Sequence, residues 1–95
     1  MTINQIGIRF INDHFSSMKL IRSEKIPELY YFVYGGYNPI IYNKKHENFI
    51  ILSSIIELIT NFLDINDFSA RKLMENYCYN QIINHDTGIE YQRFR

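Results

Sequence analysis

The sequence predicts an α+β fold: an N-terminal helix, an antiparallel sheet of three to four strands, and two C-terminal helices. Three observations carry this. Apolar residues recur at helical spacing near the start of the chain. An aromatic and β-branched run at 28–34 closes on Gly35-Gly36. A second helically spaced apolar run follows Ser54, with a third beyond Asp67.

Residues 2–17 read as an amphipathic helix. Ile3, Ile6, Ile8, Phe10, Ile11 and Phe15 form a broad apolar face. Gly7 weakens such a helix by about 1 kcal/mol relative to alanine. A residue this small also allows another element to come close. Residues 18–26 are ambiguous; Lys19-Leu20-Ile21-Arg22 fits a short edge strand, ended by Pro27, which has no N–H to give a ladder.

Glu28–Tyr34 is the clearest strand. Leu29, Tyr31 and Val33 point one way, and Tyr30, Phe32 and Tyr34 the other. Gly35-Gly36 then supplies a turn with positive φ. Residues 39–43 form a second strand, with Pro39 tolerated at its start. Asn43–Glu47 is a polar connection, and Phe49–Leu52 a third strand, making an antiparallel hairpin. Ser54-Ile55-Ile56-Glu57 matches a capping box and opens a helix over 55–63, which Asp64–Asp67 breaks. Ser69 or Asp67 caps a last helix to about residue 84, with Leu73, Met74, Tyr77, Cys78 and Ile82 as its stripe. His85–Gly88 is expected to end it, leaving Ile89–Phe94 as a final strand or a loose tail.

The 95 residues suit one domain, 1–95, without linkers or repeats. At 46% hydrophobic and 16% aromatic the chain is not of disordered composition. Ten basic and ten acidic residues balance, which argues against a dedicated nucleic-acid binder. The basic residues, among them Arg22, Lys25, Arg71, Lys72, Arg93 and Arg95, are dispersed. Met1–Gln5 has neither a basic n-region nor a continuous apolar h-region, so no signal peptide is expected. The nearly apolar stretch 49–62 is too short and too polar to span a bilayer. With Cys78 alone, no intramolecular disulfide forms. A cytoplasmic location and no membrane partner are the expectation. Seventeen Ile and ten Asn against one Ala and one Val also fit AT-rich coding, as in a phage or mobile element.

No motif dictates catalysis. Cys78 lies mid-helix on the apolar stripe, the ordinary place of a buried structural cysteine. His14, His46 and His85 lack the spacing that sets two metal ligands on one face. Gly35-Gly36 leads to a strand, not to the helix N-terminus a phosphate loop requires. No cofactor or metal is expected. The aromatic surplus points instead to a protein interface, since tyrosine buries much area yet keeps a polar handle. The first clear strand is apolar on both faces. Either the helices divide between them, or the face bearing Tyr30, Phe32 and Tyr34, or the turn Tyr34–Asn38, meets a partner.

The segment Tyr30–Lys44, YYFVYGGYNPIIYNK, followed by Phe49–Ser54, FIILSS, resembles the middle of small immunity proteins from bacterial polymorphic toxin and contact-dependent inhibition systems. The YrhB-like family has this layout, and the SUKH superfamily a similar strand–turn–strand–helix segment. The likeness covers roughly residues 28–63. The turn Lys44–Glu47 lacks the Asp-x-x-Gly of such relatives, and the C-terminal helix is longer than theirs. The resemblance implies a non-enzymatic protein that binds and neutralises a cognate toxin domain. Partner-binding candidates are then Tyr30, Tyr34, Tyr37 and Tyr42, rimmed by Asn38, Lys44, Lys45 and Glu47. Neutral charge does not favour a nuclease as the toxin. The alternatives are a phage or mobile-element inhibitor of a host defence protein, and a small Cys/His enzyme working through Cys78. A homodimer through the two-sided apolar sheet, with no toxin involved, is a further alternative.

Overall fold

The structure, a computed structural model, describes the backbone of residues 2–93 and, within it, the side chains of residue 2 and residues 5–87. The elements run α1 (Ile3–His14), β1 (Lys19–Arg22), β2 (Leu29–Tyr34), β3 (Tyr37–Asn43), β4 (Asn48–Ile51), α2 (Ser53–Leu63) and α3 (Asp67–Arg93). The strands form one antiparallel sheet in the order β1-β2-β3-β4. The α+β architecture is as the sequence predicts, with Lys19–Arg22 as an edge strand. The second hairpin strand starts earlier than expected, at Tyr37, and pairs Tyr34 with Tyr37 directly across the turn. Gly35 and Gly36 take φ of 63° and 84° there, which costs glycine little.

The helix starts differ from expectation. A capping box sits at α1, where the Thr2 hydroxyl accepts from Gln5 N–H at 3.2 Å and Gln5 Oε1 from Thr2 N–H at 2.9 Å. The box expected at Ser54–Glu57 does not form: α2 starts at Ser53, with Leu52 as an N-cap that makes no side-chain bond. The reason is the short exit from the sheet. Leu52 N–H still donates to Pro39 C=O at 2.9 Å, so the chain turns helical at once and Ser54 falls inside the first turn. Asp64 ends α2 in the left-handed region. The Asn66 side chain accepts from Ser69 N–H at 2.8 Å, the bond an N-cap makes, in place of the Ser69 or Asp67 cap.

The last helix corrects a larger expectation. Its backbone passes through His85–Gly88 and continues to Arg93, so no final strand forms over 89–93; Phe94 and Arg95 lie outside the described residues. A tertiary contact holds the helix past its expected end at residue 84. Asp86 accepts from the Tyr30 hydroxyl at 2.9 Å and lies 3.8 Å from Lys44 Nζ, which ties α3 to the sheet beyond residue 84. A helix of 27 residues is about 40 Å long, and the long dimension of the molecule is 43 Å.

The core gathers Ile11 and Phe15 from α1, Tyr30, Phe32, Ile40, Tyr42 and Ile51 from the sheet, and Ile55, Ile56, Ile59, Ala70, Leu73, Met74, Cys78 and Ile82 from α2 and α3. At the crossing of α1 and α3, a Cβ on Gly7 would stand 2.7 Å from Leu73 Cδ1. The residue that weakens α1 locally therefore allows α3 to approach. Gly7→Val is expected to lower stability by about 1–3 kcal/mol through overpacking, as read from the denaturant midpoint. Unchanged stability would mean that the two helices separate there without cost.

Candidate protein-binding face

Strand parity decides which side chains share a face. Register places Leu20 beside Phe32, Phe32 beside Ile40, and Ile40 beside Ile51. Phe32 and Ile40 are 1% and 0% exposed. The sheet residues of the hydrophobic core are of this parity, Tyr30 and Tyr42 among them; Pro39, also fully buried, is of the other parity, at the turn end of β3. The helices supply the rest of that core, so they cover this face.

The opposite parity makes an open face. Ile21 pairs with Tyr31, Tyr31 with Ile41, and Ile41 with Ile50. These four residues form an in-register apolar row across every strand of the sheet. Its ends are bare, with Ile21 50% and Ile50 64% exposed. Tyr31 and Ile41 between them are half-buried, as are Leu29 and Val33 on the same face. An apolar row exposed at both ends, with few charges, makes this face the candidate for an interaction surface. Lys19 pairs with Val33 at one end, and Asn43 with Asn48 at the other.

The sequence-derived candidates distribute around this frame. Tyr30, 0% exposed, and Tyr42, 4% exposed, are core residues. Both were expected at a partner surface; their parity turns them under the helices instead. Tyr34 is half-buried, its ring edge-on to Phe15 with centroids 5.1 Å apart. Tyr37 and Asn38 are exposed beside the Gly35-Gly36 turn, and Lys44, Lys45 and Glu47 in the β3–β4 turn. Along β3, Asn38 and Lys44 are six residues, about 20 Å, apart. The two groups do not form one patch but stand at opposite ends of the sheet. Tyr42, Lys44 and Glu47 do converge on a recess of about 330 Å³, shared with Tyr79 and Asp86.

Ile21, Tyr31, Ile41 and Ile50 are the surface residues that sequence reasoning missed. Parity gave the correct two sets on β2, but both sets are apolar. A signal lay one strand further on. The set containing Ile41 also contains Asn43 and, through pairing, Asn48, whereas the set containing Ile40 and Tyr42 leads to Phe49 and Ile51. The polar residues mark the solvent side.

The buried side is electrostatically quiet. Burial, then the hydrogen bond to Asp86, push the Tyr30 hydroxyl above its ordinary pKa. Burial does the same for Tyr42 and Tyr77. Burial also raises the Cys78 thiol, which is 0% exposed, so its thiolate is strongly disfavoured. Among the described residues no three His, Cys, Asp or Glu side chains gather as metal ligands. No helix among them is long and apolar enough to cross a membrane.

Asp86→Ala leaves the buried Tyr30 hydroxyl without its acceptor and is expected to cost about 1–3 kcal/mol, visible as a lower melting temperature. Alkaline pH should also destabilise the fold. The folded state holds these protons more tightly than the unfolded state, so the stability they contribute is complete at neutral pH. It falls as pH rises past 9.0 for the thiol and 10.0 for the phenols, towards their raised folded values. Denaturant midpoints that stay level across that range would contradict this.

No protein-family model, no curated protein and no solved structure matches the chain.

Proposed function

We propose that the protein is a cytoplasmic immunity protein, a binding module without catalytic activity that holds and neutralises a cognate bacterial toxin domain. The observation that carries this reading is the bare apolar row Ile21–Tyr31–Ile41–Ile50 on an uncovered sheet face. A sheet covered by helices on one side ordinarily turns polar residues to water on the other. Here a tyrosine and three isoleucines stand there instead. Lys45 in the β3–β4 turn, with Tyr37 and Asn38 at the other end of the sheet, supplies exposed polar groups for the margin of that apolar centre, whereas Lys44 and Glu47 turn to the recess beside α3. The sequence resemblance of residues 28–63 to immunity proteins names the kind of partner.

A tagged copy should retain the toxic C-terminal domain of a large secreted effector at equal stoichiometry, identified by mass spectrometry. Co-expression should then abolish that domain's toxicity. A partner that is not toxic, or a toxicity unaffected by co-expression, overturns the reading. Recovery of a host defence protein would favour the phage-inhibitor alternative.

A further inference from the structure

The helical side of the molecule carries a second uncovered surface. Ile6, Phe10 and Phe62, with Arg9, Asp13 and His14, line a groove of about 540 Å³ between α1 and the end of α2. Phe62 is 71% exposed and Ile6 41%. Phe62 is held in place by Phe10, their ring centroids 4.1 Å apart, and Phe10 is itself stacked on His14. Water therefore meets an ordered aromatic ridge on the far side of the helices from the open sheet face.

We infer that this ridge is the self-association surface of the chain, and that its occupant is α1 of a second copy packed antiparallel about a two-fold axis. Charge complementarity selects this occupant. Arg9 and Asp13 flank the ridge one helical turn apart, yet form no ion pair with each other or with any other described residue. A base placed four residues before an acid is the weaker order for pairing along one helix. Across a two-fold axis level with residue 11, Arg9 of one copy falls opposite Asp13 of the other, twice over. The two Phe10 side chains then lie about 3 Å apart along the helix axis, within reach of an offset stack. The surface is thus complementary to itself in charge. The zero net charge adds no long-range repulsion between copies. Because α1 spans only about 18 Å, the contact is small beside the roughly 800 Å² per partner of a standard interface. The dimer is expected to dissociate on dilution.

Sedimentation equilibrium over a concentration series tests this with the whole chain. The wild type should show a monomer–dimer equilibrium. Arg9→Asp or Asp13→Arg alone brings like charges together twice and should weaken it at least tenfold. The double variant R9D/D13R restores both pairs and should return the dimer to near wild-type strength. Phe62→Ser should abolish it, whereas Ile50→Lys on the sheet face should leave it unchanged. All these positions are at the surface or rim of the fold, and far-UV circular dichroism checks that each variant is folded. If Phe62→Ser unfolds, the charge swap alone decides. A wild type that remains monomeric throughout overturns the inference. So does a dimer indifferent to single reversals, a double variant that fails to recover, or a dimer lost with Ile50→Lys. The inference does not rest on the proposed toxin partner, whose binding is read on the other face.

Discussion

Ile50→Lys is expected to weaken binding of the partner by roughly 100-fold, about 2.7 kcal/mol, while the protein stays folded. Ile50 stands at the end of the apolar row, 64% exposed on the edge strand β4, so the free protein tolerates a charge there. At an interface the same ammonium must be desolvated against the partner's apolar surface, which gives the large loss. Ile21→Lys, at the other end of the row, should behave alike. Lys45→Glu in the β3–β4 turn should act chiefly on the association rate and its salt dependence, with a smaller change in affinity, because a rim charge steers more than it holds. Titration calorimetry on the purified pair, with loss of protection in co-expression, reads both effects. If Ile50→Lys and Ile21→Lys bind as the wild type does, the open face is not the interface.

The second large effect separates the two faces of β2. Phe32→Ala is expected to destabilise the fold by about 3–5 kcal/mol, through lost burial and the cavity left behind. A small domain has only about 5–15 kcal/mol of stability, so the variant should be partly unfolded at modest temperature. Phe32 is 1% exposed and sits between Leu20 and Ile40 on neighbouring strands. Val33, the next residue, faces the other way and is half-buried. Val33→Ala should therefore cost about 1 kcal/mol or less, because less area leaves water and the site stays open to solvent. Equal losses at the two positions, measured by urea unfolding, would mean that the helices do not cover a single face.

The two-sided character of β2 also marks where sequence reading reached its limit. Local chemistry was sufficient for the architecture. Helical spacing gave α1, α2 and α3, β-branched and aromatic runs gave the strands, and Gly35-Gly36 gave a turn with both φ values positive. Gly7 announced a close approach, and α3 makes it. Local chemistry misplaced the last helix terminus. The expected end at residue 84 left out Asp86, which bonds to Tyr30 across 56 positions of the sequence and holds the helix on the sheet at that point.

The candidate site depended still more on distance. Tyr30 and Tyr42 have the composition of interface residues, yet they lie in the core; Ile21 and Ile50 have the composition of core residues, yet they face water. A tyrosine or an isoleucine on a strand carries no information about which side the helices take. Strand period alone assigned the residues of β2 to two correct sets. Which set is buried followed from the connections. The chain leaves β4 at Leu52 and enters α2 on the Ile40 side, and α3 then fixes itself to Tyr30 and Phe49 through Asp86 and Arg71. The elements and their order rest on period, capping and turn chemistry among near neighbours, and so were legible in the residues. Which apolar face remains open rests on contacts between residues far apart in the chain, and so came from the folded molecule.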